Sequence, residues 1–297
     1  FGSVFEVGSL ESGKPCAVKK ISKARAGETR IRLRSEIDIM KLLDHPNVVK
    51  LFETFEDRHH MYLVLELCSG GDLYTCLKAN KRPFTEKQAA ITMTQVLRPV
   101  VYLHNHMGIC HRDLKLENFL LHSKAPVEEN TLKLGDFGLS CSYVQGQVLK
   151  TKLGTMKYAS PQVLSGSYDN AADLWSCGVI MYILLAMDVP FPGKNDAEVM
   201  QRVRKGNYAF KDAAWTNVSD AAKDLIRKML RYQPWDRVTA EQALSHDWFQ
   251  QTAPELVTTP PLRPQAVRDL ANFVKQTKFK RAALRAIAVQ LGEEEVQ

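Results

Sequence analysis

Residues 111–118, His-Arg-Asp-Leu-Lys-Leu-Glu-Asn, set a carboxylate, an ammonium and an amide close together, and Asp136-Phe137-Gly138 adds a second carboxylate eighteen positions after Asn118. Asp113 sits where an acid can receive a hydroxyl proton. Asn118 offers an amide oxygen, and Asp136 a carboxylate oxygen, to a hard divalent cation. That combination is chemistry for phosphate rather than for a carbonyl.

The elements that must position these groups can be read around them. Phe1-Gly2-Ser3-Val4 reads as the end of a hairpin turn and the strand after it. Cys16-Ala17-Val18-Lys19 is apolar strand sequence ending in a lysine, fifteen residues after Val4, the interval of a returning neighbour strand. An ammonium on a buried strand needs an anionic partner, because desolvating it alone is expensive. Glu36 is the candidate: the segment 28–43 places Leu33, Ile37 and Met40 at steps of four and three, an amphipathic helix, with Arg32 and Glu36 an (i, i+4) pair. On residue chemistry alone Lys20 serves as well as Lys19, and Glu36 reads equally as a solvated helix residue. His45-Pro46-Asn47 breaks that helix, and strand-like runs follow at 48–55 and 61–67. Residues 85–104 have helical length and few breakers, and they deliver the chain to the 111–118 loop.

The order H-R-D-L-x-x-x-N and then D-F-G resembles the signature of protein kinases. The resemblance implies an α+β, two-lobed fold: a small β-rich lobe over 1–66, a larger helical lobe over 67–250, and a linker with a basic helix over 251–297. It implies transfer of the γ-phosphate of ATP, with Mg²⁺, to a peptide hydroxyl. Asp113 then orients the hydroxyl, Lys115 neutralises the transferring group, and Asn118 and Asp136 hold the metal. It decides for Lys19 on the α/β-phosphates, with Glu36 holding Lys19 in place. Gly2 and Val4 become the tail of a phosphate-covering loop, two of whose glycines would precede residue 1. Leu65 stands at the back of the nucleotide pocket, Glu66 and Cys68 offer backbone groups to adenine, and Ala17, Leu120 and Glu117 border the nucleotide. Asp72 reaches ribose or a substrate arginine. Asp72 and Glu117 form an acidic pair, implying protein substrates with Arg or Lys upstream of the target. Lys115, two residues after Asp113, favours Ser/Thr over Tyr. His111 and Phe137 read as packing residues.

Residues 139–161 are polar and long for a loop, as an activation segment should be. Thr151 stands where related kinases carry either a regulatory phosphothreonine, which Arg112 or Arg32 could pair, or an acidic residue. Thr155 and Tyr158 match its peptide-docking part. One departure stands out: Ser160-Pro161-Gln162 replaces the family's Ala-Pro-Glu, whose glutamate pairs with a buried arginine matched here by Arg237. An uncompensated buried charge can cost ~3–5 kcal/mol, so a softer second lobe is expected rather than an inactive enzyme. Asp173 is placed to bond the catalytic loop's backbone, and His246-Asp247-Trp248-Phe249 resembles the family's closing motif.

Composition sets outer bounds. Of 297 residues, 45% are hydrophobic and 25% charged, ordinary for a soluble globular protein. The most apolar run, 177–187, falls well short of the ~20 residues of a membrane span and reads as a core helix. Six cysteines without a C-x-x-C pair suggest neither a zinc site nor a disulfide framework, and a reducing, cytoplasmic setting fits. Phe1 is not a start methionine, so the sequence reads as a fragment, with any membrane attachment left to residues before it. The net charge of +7 owes much to five basic residues between Lys275 and Arg285, which argues against a nucleic-acid partner.

Residues 258–264 are a linker by composition. After it, 266–291 is basic amphipathic sequence, which reads as membrane-surface, calmodulin-target-like, or an extra helix packed on the lobe. Its wording, FKRAALRAIAVQLGEEEV, resembles the autoinhibitory junction of calcium-dependent protein kinases, which precedes a calmodulin-like domain. That implies such a domain in cis, or calmodulin in trans, as partner. No D-x-D-x-D-G loop occurs here, so Ca²⁺ would act only through residues outside this sequence. A pseudokinase scaffold and a calmodulin-regulated kinase without calcium loops of its own are the rival readings.

Overall fold

The computed structural model describes residues 3–8, 13, 15–23, 28–144, 146–151, 153–211 and 213–254. Gly2 and residues 255–297 of the linker and junction expected over 251–297 lie outside these residues. The chain divides into two compact units, residues 1–257 and 258–297, and only the first is described below.

The first lobe is an antiparallel sheet with one helix. Its strands β1 (Ser3–Gly8), β2 (Pro15–Ser22), β3 (Leu51–Glu56) and β4 (His60–Glu66) lie in the order β1-β2-β4-β3, and α1 (Glu28–Leu42) connects β2 to β3. Register sets Val4 opposite Lys19, Ala17 opposite Leu65, and Cys16 opposite Glu66. The expected strand at 48–55 starts late, because Asn47 and Val49 have other partners. The Leu134 N–H donates to the Asn47 carbonyl, and the Val49 N–H to the Leu134 carbonyl. The loop after α1 is thereby fastened to the second lobe instead of to β4.

The second lobe is built on helices. In chain order it comprises α2 (Leu73–Asn80), α3 (Glu86–Val101), β5 (Ile109–Cys110), β6 (Phe119–Leu121), β7 (Leu132–Leu134), β8 (Cys141–Ser142), α4 (Pro161–Ser165), α5 (Ala171–Ala186), α6 (Asp196–Lys205), α7 (Asp220–Met229), α8 (Ala240–Leu244) and α9 (Asp247–Thr252). A capping box between Thr85 and Gln88 starts α3. The helix expected to reach residue 104 changes form earlier. Pro99 has no N–H for the carbonyl one turn back, and Tyr102–Met107 relaxes into a π turn closed by Gly108 at φ 61°.

Residues 172–185 of α5 are all buried, as suits a helix apolar on every face. The Trp175 ring stacks on Phe191 with centroids 5.4 Å apart, and Leu225, Ile226 and Met229 of α7 are fully buried in the same core. This core is the rigid base under the catalytic loop. No helix among the described residues is long and apolar enough to cross a membrane.

Candidate active site

The loop 111–118 is held from below by one carboxylate. Asp173, in the first turn of α5, accepts the N–H groups of His111 and Arg112, each at 2.9 Å, and its Oδ2 lies 2.8 Å from His104 Nε2. Burial pushes the Asp173 carboxyl upward, yet the bond and charge of His104 and the loop's N–H hold it below the usual aspartate value. His104 projects from the π turn, so the irregularity after Pro99 supplies a ligand for Asp173. Arg112 sits at φ 68°, a strained backbone that these bonds over-determine.

Asp113 is gripped on both oxygens. Oδ1 accepts the Thr155 N–H at 3.0 Å and the Thr155 hydroxyl at 2.9 Å. Oδ2 accepts Lys115 Nζ at 2.6 Å, and Lys115 also reaches Thr155 Oγ1 at 3.1 Å. Asn118 Nδ2 donates to the Asp113 carbonyl at 2.8 Å, which turns its amide oxygen the other way. Gly154 makes the approach of the activation segment possible: at φ 103°, a Cβ there would lie 2.7 Å from the Arg112 carbonyl oxygen.

Asp136, at φ 57°, is a second strained residue, and its Oδ1 accepts the Gly138 N–H at 3.4 Å. Phe137 is buried and meets the His111 ring edge-on at 5.1 Å. His111 is itself fully buried, with Nε2 3.3 Å from the Gly135 carbonyl, and burial lowers its pKa, so it packs as a neutral ring.

Lys19 Nζ meets Glu36 Oε1 at 3.0 Å, whereas Lys20 lies over the Tyr62 ring at 5.9 Å. The choice that residue chemistry left open is thus made by strand alternation, which turns Lys19 toward α1. Glu36 Oε2 also stands 3.4 Å from where a Cβ on Gly138 would be, so the helix, the β2 lysine and the Asp136 turn converge.

The remaining expected residues sit on β1, β2, β4 and β6 and in the loops around them. Val4 is exposed on β1, Ala17 is buried beside Leu65, and Leu120 bridges to Asp72. Between the Glu66 N–H, bonded to Lys50 O, and the Ser69 N–H, bonded to His122 O, the Cys68 N–H has no protein partner among the described residues. Burial and the Glu66 charge push the Cys68 thiol up to about 11. Asp72 caps α2, accepting the Thr75 N–H at 2.8 Å, and Glu117 accepts the Tyr158 hydroxyl at 3.5 Å. Arg112 Nε donates to the Leu139 carbonyl, and Thr151, exposed, accepts the Tyr168 hydroxyl on its carbonyl.

Gln162 takes the place of a carboxylate beside Arg237. Its Oε1 accepts Arg237 Nη2 at 3.0 Å, while its Nε2 donates to the Tyr232 carbonyl at 2.7 Å. The guanidinium also donates to the carbonyls of Ala171 and Arg231 and lies over the Trp175 ring at 5.2 Å. Burial pushes Arg237 down to about 10.

Sequence reasoning missed three members of this neighbourhood: His104, Lys133 and His122. The last two surround the Glu66 carboxylate, Lys133 Nζ at 2.8 Å and His122 Nδ1 at 3.5 Å.

A divalent cation fits the two oxygens. The Asn118 amide oxygen is turned away from Asp113, and among the described residues Asp136 is bound to no cationic side chain, the donor set of a hard ion that completes its shell with phosphate and water. Among the described residues the Cys68 N–H is left unbonded, and Lys19 is oriented by Glu36.

With that geometry in place, the class is defined: residues 1–249 match the protein kinase domain, and the chain belongs to the protein kinase family. The chain is 41% identical over 282 residues to calcium-dependent protein kinase 3 of Plasmodium yoelii yoelii, covering 95% of this chain and 52% of that protein. It is 38% identical over 297 residues to calcium-dependent protein kinase 5 of Plasmodium falciparum (isolate 3D7), covering 100% and 51% respectively. It therefore spans about half the length of these relatives.

Proposed function

We propose that this chain is the catalytic part of a serine/threonine protein kinase that moves the γ-phosphate of ATP to a peptide hydroxyl. The observation that carries the reading is Asp113, a carboxylate fixed on both oxygens by the N–H and hydroxyl of Thr155 and by the Lys115 ammonium. A carboxylate so held can align an incoming hydroxyl and accept its proton without searching for its own conformation. Lys115, 2.6 Å from Asp113, brings positive charge to the place where phosphoryl charge would develop. Lys19, oriented by Glu36, holds the α/β-phosphates, and the Cys68 N–H meets adenine. Asn118 and Asp136 would hold Mg²⁺, which when bound supplies positive charge to the phosphate oxygens.

Asp72 and Glu117 support a preference for basic substrates. The names of the relatives support calcium control, which we assign to the basic segment 266–291 and to a calmodulin-like partner in cis or in trans rather than to the lobes themselves.

The test is a peptide series with serine, threonine or tyrosine as acceptor and arginine or alanine upstream. The reading expects transfer to serine and threonine, little to tyrosine, and a loss of roughly tenfold or more in kcat/KM on upstream Arg→Ala. A change below about twofold would remove the basic-substrate assignment.

A further inference from the structure

Two strands bring charge to the nucleotide cleft, and each is anchored three residues short of the group it delivers. β2 delivers Lys19, and its Cys16 pairs in register with Glu66. β7 leads to Asp136, and its Lys133 lies three residues before that carboxylate. Lys133 Nζ meets Glu66 Oε1 at 2.8 Å, with the two side chains only 13% and 18% exposed. His122 Nδ1 stands 3.5 Å from the same oxygen, and the Lys50 N–H donates to Oε2 at 3.3 Å. The Glu66 carboxylate is thus held by β7 and His122 of the second lobe and by the β3 side of the first.

A second set of links between the lobes fastens a different point. Asn47 and Val49 exchange backbone bonds with Leu134, Asn47 Nδ2 donates to the Leu132 carbonyl at 2.9 Å, and the Asp44 N–H donates to the Tyr102 hydroxyl at 3.1 Å. All of these hold the loop after α1. The Glu66 carboxylate instead holds the end of the sheet, two residues from the free Cys68 N–H. A sheet fixed at both points has a set tilt over the second lobe, whereas one fixed only behind α1 can rock about that loop.

We infer that the Glu66–Lys133 ion pair is a hinge strap that sets nucleotide affinity, and that Lys133 is a positioning residue for the kinase reaction. The strap fixes the angle at which Lys19 and the Cys68 N–H face Asp136. Without it, the arrangement able to take nucleotide is a smaller fraction of the population, and the apparent dissociation constant rises by the inverse of that fraction. The pair borders an open cavity of about 240 Å³ shared with Leu43, Pro46, Val48 and Phe52. A side chain replaced at position 133 therefore has room without displacing its neighbours.

The inference rests on the ATP-dependent reading above, so the experiment separates binding from transfer. Mg·ADP is titrated calorimetrically into the protein and its Lys133→Met, Lys133→Arg, Lys50→Met and Glu66→Gln/Lys133→Met variants. The strap requires ADP binding roughly three- to tenfold weaker in Lys133→Met. KM for ATP should rise in parallel and KM for peptide should hold. Lys133→Arg should recover most of the loss, and the double variant should lose no more than the single one. Lys50→Met removes a neighbouring charge but keeps the backbone bond to Glu66, and should bind ADP within about twofold of the unaltered protein. A lowered melting temperature with unchanged ADP affinity would make the pair merely structural and overturn the inference. Tighter ADP binding in Lys133→Met would overturn it too. An unaltered protein that binds ADP but transfers no phosphate would sink the kinase reading alone, leaving the strap to the ADP titration. One that binds no ADP would sink both.

Discussion

Asp173 and Arg237 are both charges buried in the second lobe, 1% and 6% exposed, yet they are settled in opposite ways. Asp173 takes two backbone N–H groups and a histidine, and its carboxyl is held below the usual value. Arg237 takes carbonyl oxygens, an amide oxygen and an aromatic face, and its pKa is pushed down to about 10. At Asp173 the partners outweigh burial and favour the charged form, whereas at Arg237 burial outweighs what its neighbours return. The difference follows position: Asp173 lies under the loop that would do chemistry, whereas Arg237 joins α4, α5 and the turn before α8, where neutral hydrogen bonds suffice for packing.

Breaking the first site should have the largest effect. Asp173→Ala leaves two loop N–H groups and His104 without their acceptor, so stability should fall by about 3–5 kcal/mol and phosphate transfer by at least ~100-fold. Chemical denaturation and initial rates measure the two. A variant with near-normal transfer would show that the loop does not depend on Asp173.

Sharpening the second site should have a smaller effect of opposite sign. Gln162→Glu gives Arg237 a carboxylate but gives up the amide's bond to the Tyr232 carbonyl, so the net gain should be about 1–2 kcal/mol with transfer rates unchanged. An unchanged melting temperature would mean that the neutral oxygens already satisfy the guanidinium.

The smallest effect is in the pH dependence. The pKa of Asp173 is lower in the folded state than in the unfolded chain. Its contribution is therefore present above the ordinary aspartate value and is lost as pH falls through the folded one. His111 and His45 have lowered pKa values from burial, so the unfolded chain binds their protons first, and stability should already decline as pH falls below about 6.5. Arg237 adds nothing in this range. The gain from Gln162→Glu should vanish below about pH 4, where the introduced carboxylate is protonated. Melting temperatures of both proteins between pH 7 and 3 check this, and a gain that persisted at pH 3 would mean that charge is not its source.

The same contrast shows what the sequence made legible. Asp113, Lys115, Asn118 and Asp136 stand out because one short loop and one turn carry them, so spacing alone displays the chemistry. The unbroken apolar run 177–187 announces a core helix for a similarly local reason, and the helix found is simply longer. Lys19 and Glu36 were legible as a pair only once the family resemblance chose between two adjacent lysines. Strand alternation makes that choice in the folded chain. His104 with Asp173 and Glu66 with Lys133 were not legible at all. Their partners are 69 and 67 positions apart, and neither residue type is unusual on its element. Gln162 was legible as a departure. That Arg237 would be met by backbone carbonyls was not, because a carbonyl is present at every residue and marks no sequence.

The most direct measurement of the central claim is transfer of labelled γ-phosphate from Mg·ATP to a serine peptide, by the protein and by its Asp113→Asn variant, with ADP affinity measured on both. The account requires transfer by the unaltered protein, a loss of roughly 100-fold or more in the variant, and ADP affinities within about twofold of each other. Transfer that survives Asp113→Asn, or ADP binding without transfer in the unaltered protein, would contradict it.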